Sequence, residues 1–322
     1  MRARHTGAAL LTAMLTVALV ATLASAALWQ QWRSLEIETA ERARLQSQWI
    51  LNGALDWARL ILREDARAGG ADHLAEPWAV PLQEARLSTF LASSNNPVDA
   101  LDTSTTLSQT FLSGDITDLQ SRMNVRNLVD GSKVSEAALA AFARLFNKLQ
   151  LPATELTLLA ENLRFALDSS PENRNGGLAP LMPQRVSQLV WLGLSNKSVA
   201  ILSPYITLLP EPTPVNLNTA DATVLAAVIP RVDPAKAQRL VALRDGQHFR
   251  TLSDVTTALS EPQDLLTDAQ HSVSSKFFEI HGQLRLDKVV VQQYSVVQRN
   301  ALEVKTLWTD RGPRGTVAAP LQ

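Results

Sequence analysis

Residues Ala8–Leu28 carry no charged side chain over 21 positions, and Arg2, Arg4 and His5 precede them. At about 1.5 Å of helical rise per residue, the segment spans roughly the 30 Å of a bilayer's hydrocarbon core. Ala24, Ser25 and Ala26 have the small-x-small pattern of a signal-peptidase site. A removable apolar region is, however, usually only ~7–15 residues long. The residues downstream favour retention. "WQQWRSLEIETAERARLQSQWILNGALDWARLILREDARAGG" holds no proline, and its only interior glycine is Gly53. Trp29 and Trp32 suit a membrane interface. Trp49, Trp57, Leu60 and Ile61 recur near helical spacing, while Glu36, Glu38, Glu41, Arg42 and Arg44 face water. Gly69 and Gly70 form a C-terminal stop. One helix is expected to run from the membrane deep into a soluble domain. The leading positive charges keep the N-terminus cytoplasmic and send the bulk of the chain across.

Charge and residue usage remove several function classes. The formal net charge is −1, so no global basic field points to nucleic acid. With no cysteine there are no disulfides, thiolate metal sites or cysteine nucleophile. The chain has no Walker loop, H-E-x-x-H, G-x-S-x-G or G-x-G-x-x-G. The five histidines (5, 73, 248, 271 and 281) are scattered. No catalytic residue is nominated, and the expectation is a non-enzyme.

Beyond the first helix, "DHLAEPWAVPLQ" reads as a proline-punctuated connection. Residues 116–129 read as extended, with Leu119, Met123, Val125 and Leu128 available for a core. Ser135 caps a helix with a clear apolar face, and Pro152 opens a second. "SSPENRNGGLAP" is a loop by composition. Short helices follow around 183–192 and 195–203, then an extended "YITLLPEP", then a helical unit at 215–259. The tail reads as a three-stranded antiparallel meander, "VSSKFFEIHGQLRL", "KVVVQQYSVVQR" and "ALEVKTLW". That order fits an α+β fold interrupted by a helical block.

The basic leader ending in Gly7, "ALLTAML…LW", "DHLAEPWA", "DLQSRMNVRNLV", "ILSPYITLLPEPTPVNLNTADATVLAAVIP" and "VSSKFFEI" together resemble the minor pseudopilin K family of bacterial type II secretion. The likeness covers roughly residues 1–310. The family implies a pilin-like α+β fold with a long N-terminal transmembrane helix, an antiparallel sheet and a large helical insertion. It divides the chain into a prepilin leader (1–7), a transmembrane segment (8–28) and a periplasmic continuation of the helix (29–68). A pilin-like domain (69–129 and 263–311), an inserted helical domain (130–262) and a disordered tail (312–322) follow. It also implies prepilin-peptidase cleavage between Gly7 and Ala8, with N-methylation at Ala8. The implied place is the tip of a pseudopilus at the inner membrane, with the bulk of the chain periplasmic. Partners would be minor pseudopilins I and J and the major pseudopilin filament, with secreted proteins and the outer-membrane secretin as further contacts. Assembly initiation and export of folded proteins would be the function.

Two departures from the family bear on its sites. Members associated with calcium carry a tryptophan- and aspartate-rich stretch and a "GAED"-type run. The matching region here, "FALDSSPENRNGGLAP", offers Asp168, Glu172, Asn173 and Asn175 as oxygen donors. Calcium takes about six to eight oxygens, so these remain weak candidates and no ligand set is carried over. Counting from Ala8, the fifth residue is Thr12, where most pilin-like proteins have a glutamate that pairs with a neighbour's N-terminal ammonium. A threonine avoids burying a carboxylate and removes that acceptor, as a subunit with nothing above it permits.

Residues 215–255 also resemble a helix-hairpin-helix module, which makes a membrane-anchored DNA-uptake receptor the rival reading. Such modules grip phosphate with backbone N–H groups at the second helix's start and need glycine for close approach. The hairpin here, "IPRVDPAKA", has none, and Asp233 before Pro234 is placed to cap those N–H groups itself. Five Lys/Arg against four Asp over 215–259 leave a surplus of one, too few for counterion-driven binding. The unit is expected to pack against protein, with no nucleic-acid partner.

Overall fold

A computed structural model describes residues 6–89, 110–168, 179–286 and 289–312. The chain divides into two compact units, Met1–Gly53 and Ala54–Gln322. Helix α1 is continuous over Thr6–Ala68, the single long helix ending before Gly69 that its sequence leads one to expect. Gly69 (φ +68°) and Gly70 (φ +120°) turn the chain out of it through left-handed backbone that disfavours side chains.

Five antiparallel strands make the sheet of the second unit, in the order β1 (Leu82–Arg86), β2 (Thr110–Asp118), β3 (Phe277–Leu286), β4 (Val289–Asn300) and β5 (Glu303–Arg311). The tail meander is as expected. β2 joins it antiparallel, with Ile116 opposite Ile280, and β4 sets Val297 opposite Phe278. Strand alternation therefore sends Ile116, Phe278, Ile280 and Val297 to one face, where Ala58, Leu62 and Trp78 cover them. Trp78 meets Phe278 edge-on at 5.2 Å. The other face begins a second cluster, Phe277 and Val296 against Leu119 and Leu209. Strand β1 starts at the end of the 72–83 stretch that reads as a connection and runs beyond it, and it is not expected from the sequence.

The helical block has its own core. Helix α2 (Glu136–Lys148) starts at Ser135, whose hydroxyl accepts from the Ala138 N–H, and it buries Ala138, Ala141, Phe142, Leu145 and Phe146. That i, i+3, i+4, i+7, i+8 series is one helical stripe. Helix α3 (Ala153–Leu167) opens after Pro152 and turns Leu156, Leu159 and Leu163 onto the same core. A 3₁₀ helix, Val186–Leu192, and helix α4 (Asn196–Leu202) occupy the places expected for short helices. Then follow α5 (Ala222–Val228), α6 (Pro234–Gly246) and α7 (Leu252–Leu259).

Two readings are corrected. Residues 116–129 are not one continuous strand: the long strand ends at Asp118, and only Met123–Asn124 and Val129 pair again. Beyond Asp118 lie 3₁₀ turns at Leu119–Ser121 and Val125–Leu128, around a bridge at Met123–Asn124. The side chains of Asp118 and Asn124 accept from N–H groups two residues on, offering the backbone a local partner instead of a ladder. Leu119, Met123, Val125 and Leu128 are nonetheless buried, as expected. In "YITLLPEP" only Ile206–Thr207 pairs, parallel to Met123–Asn124. Pro210 and Pro212 have no N–H to extend the pairing.

Candidate functional site

The first functional region is the start of α1. Its backbone is helical from Thr6, so Gly7 and Ala8 lie in the first turn, whose N–H groups have no intrahelical partner. The Thr12 hydroxyl donates to the Ala9 carbonyl at 3.0 Å, and Thr16 and Thr22 make the same bond three residues back. Each hydroxyl is thus bonded within the helix. Leu10, Leu11, Met14, Leu15, Val17, Leu19, Val20 and Leu23 are all exposed within the chain itself, at 58–71%. This helix is long and apolar enough to cross a membrane, and an unpacked apolar surface all round suits lipid or a filament core.

The second region is a polar junction buried between the helical block and the sheet. It is built from the two motifs "DLQSRMNVRNLV" and "PEPTPVNLNTAD". Asn124 donates to the Glu211 carbonyl (2.8 Å) and to Thr213 Oγ1 (3.0 Å). Asn127 pairs with both backbone groups of Thr213, donating at 2.7 Å and accepting at 2.9 Å. Gln120 donates to the Pro214 carbonyl and accepts from the Lys276 N–H. Asn218 pairs with both backbone groups of Phe249, at 2.8 and 2.9 Å, fixing the α6–α7 loop. Arg244 donates to the carbonyls of Leu217 and Ala220.

Asp118, 2% exposed, lies at the centre. Its Oδ2 accepts from Asn216 Nδ2 (3.1 Å), Thr219 Oγ1 (2.5 Å) and Ser275 Oγ (2.6 Å), and its Oδ1 from the Gln120 N–H (2.7 Å). Burial pushes its pKa up to about 6, against the pull of those hydrogen bonds. Beside it, the Arg299 guanidinium joins Asp65 near the end of α1 (2.5 Å) to Asp72 in the following turn, and it donates to the Ser275 carbonyl (2.9 Å). Carboxylate oxygens of Asp65, Asp72 and Glu76 lie within 4.8 Å of one another. Arg299 supplies the positive charge between two of them, and Glu76 accepts from the His73 N–H and Trp78 Nε1.

Sequence reading missed this junction. Its members, at 65, 72, 118, 216, 275 and 299, are dispersed, and only the Asn- and Thr-rich motifs hinted at it. Of the calcium candidates, Asp168 caps the end of α3, its N–H donating to the Arg164 and Phe165 carbonyls. Glu172, Asn173 and Asn175 lie outside the described residues. The 215–259 unit matches the packing reading: Asp233 Oδ1 accepts from the Lys236 N–H at 2.8 Å, occupying a group that a phosphate would need. The left-handed position of that hairpin is filled by Arg231 (φ +61°) instead of a glycine.

Two models of the type II secretion system protein K family match the chain, one over residues 121–211 and one over 215–274. They meet at the motif that forms the junction. The chain is similar to the type II secretion system protein K family over these two segments. That likeness supports a minor pseudopilin of that system. A type II secretion system protein K of Pseudomonas aeruginosa is 26% identical, across 98% of this chain and 92% of that protein. Another, from Pectobacterium carotovorum subsp. carotovorum, is 25% identical across 98% and 99%. The fold is similar to a solved chain from the GspK-GspI-GspJ complex of the enterotoxigenic Escherichia coli type 2 secretion system. The TM-score is 0.61 and the identity 19%, over 85% of this chain and 98% of that one.

Proposed function

We propose that this protein K homologue sits at the pseudopilus tip, anchored in the inner membrane by α1 with its bulk in the periplasm. There it binds minor pseudopilins I and J, helps initiate the filament and supports export of folded proteins. The helical block at about 130–262 is then an insertion into a pilin-like frame. The observation that carries the tip reading is Thr12, whose hydroxyl bonds to Ala9 in its own helix and leaves no carboxylate for a neighbour's ammonium. A repeated subunit of this kind would strand a positive charge at every step in apolar surroundings. The partner assignment draws on the Escherichia coli chain of similar fold, whose structure was solved as GspK-GspI-GspJ.

Processing is the first event in this reading. Gly7 in a helix costs about 1 kcal/mol relative to alanine and sits where the helix lacks backbone bonds, so the Gly7–Ala8 peptide unwinds cheaply into a protease. N-terminal sequencing of mature protein from cells should begin at Ala8, N-methylated. Gly7→Val should yield only membrane-bound precursor and no secretion. A mature start at Ala27, or normal processing of Gly7→Val, would defeat the assignment.

A further inference from the structure

His73, in the turn after α1, and His248, in the α6–α7 loop, stack face to face with centroids 3.7 Å apart and planes 11° from parallel. Such rings direct their nitrogen lone pairs side by side instead of converging them on one metal ion. His73 Nδ1 accepts from the Ala75 N–H (3.3 Å), which places the ring's proton on Nε2 in the neutral form. Each ring stands on a fixed support. The His73 turn is held by Arg299 through Asp72 and by the Asp72 N–H to the Val273 carbonyl (2.9 Å). The His248 loop is held by Asn218 through Phe249. The two supports meet through this stack.

We propose that the His73–His248 stack is an acid-sensitive latch, closed at neutral pH and opened by protonation, that releases the α6–α7 loop from the turn following α1. Two imidazolium rings cannot remain in face contact, because like charges at that distance repel strongly. Burial lowers the pKa of both rings, and His73 and Arg250 lower that of His248 further. Asp65 and Asp72 pull the other way on His73, and Glu76 on His248, but the net direction for both is down. Arg299 takes up much of the charge of Asp65 and Asp72. With native pKa values below the unfolded one, the open or unfolded state binds more protons. Latch stability is therefore complete above the ordinary histidine pKa and is lost as pH falls through and below it.

Hydrogen exchange of the full chain in detergent micelles, at about pH 7.5 and pH 5 with intrinsic rates corrected, tests the latch. Peptides spanning 70–76 and 246–252 should lose roughly threefold or more of their protection on acidification. Peptides from β3 and β4 should not change. His248→Phe keeps a flat ring that cannot take a proton, and should remain protected at the lower pH. Unchanged protection of both wild-type segments would overturn the proposal without recourse to any variant. So would an equal loss in His248→Phe.

Discussion

Asp118 shows what a single side chain does at a buried crossroads. Four donors from three segments converge on one carboxylate that water does not reach. Asp118→Ala leaves buried N–H and O–H groups unmatched and should cost about 3 kcal/mol or more by chemical denaturation. Asp118→Asn separates charge from shape. Because the native pKa is raised to about 6 from 3.8, the folded state takes up a proton before the unfolded chain does. Stability from this group is therefore full below the unfolded pKa and is lost as pH rises through about 6. The wild type should gain about 1 kcal/mol relative to Asp118→Asn as pH falls from about 7 to 5. A constant gap would mean that the carboxylate titrates normally. Its partners at 120, 216, 219 and 275 have no common spacing, so no periodicity in the chain announces them.

Among the elements, the sheet depends on one close approach. A Cβ added at Gly114 on β2 would lie 2.5 Å from the His281 carbonyl oxygen on β3, a backbone atom that cannot rotate away. The two strands pair along Thr110–Asp118 and Phe278–Leu286. Gly114→Ala must therefore push them apart locally, and should destabilise the fold by about 1–3 kcal/mol. A thermal melt followed by the near-ultraviolet signal of Trp78, packed on Phe278, checks this; an unchanged midpoint would contradict it. The helices were more legible. The stripe in α2 and the caps at Ser135 and Asp233 each follow from local rules that need no tertiary partner. Strand β1 was not legible, because its five residues show the burial of an edge strand, with no residue fully buried.

At the scale of the molecule, the likeness to the protein K family and the apolar helix make the copy number the decisive quantity. A tip subunit should be present at about one copy per pseudopilus, however long the filament grows. Quantitative mass spectrometry of purified pseudopili should show its ratio to the major pseudopilin falling with length; a constant ratio would place it along the filament and sink the tip proposal. Thr12→Glu should restore an acceptor at a cost on the order of 2.5–3.5 kcal/mol near mid-membrane when unpaired.

The sequence alone determined the long helix and its end, helix caps and apolar stripes, the tail meander and the family resemblance. All of these are written in contiguous residues, through charge-free length, 3.6-residue and two-residue periods, and motifs quoted whole. Tertiary structure decided which face of the sheet packs on α1, that Arg299 holds Asp65 and Asp72 together, and that the Asn-rich motifs lock the helical block to the sheet. It also brought His73 against His248. Those pairings join residues up to 234 positions apart. A polar residue's local context says whether it can bond, but only the folded chain says which partner is left when water is excluded.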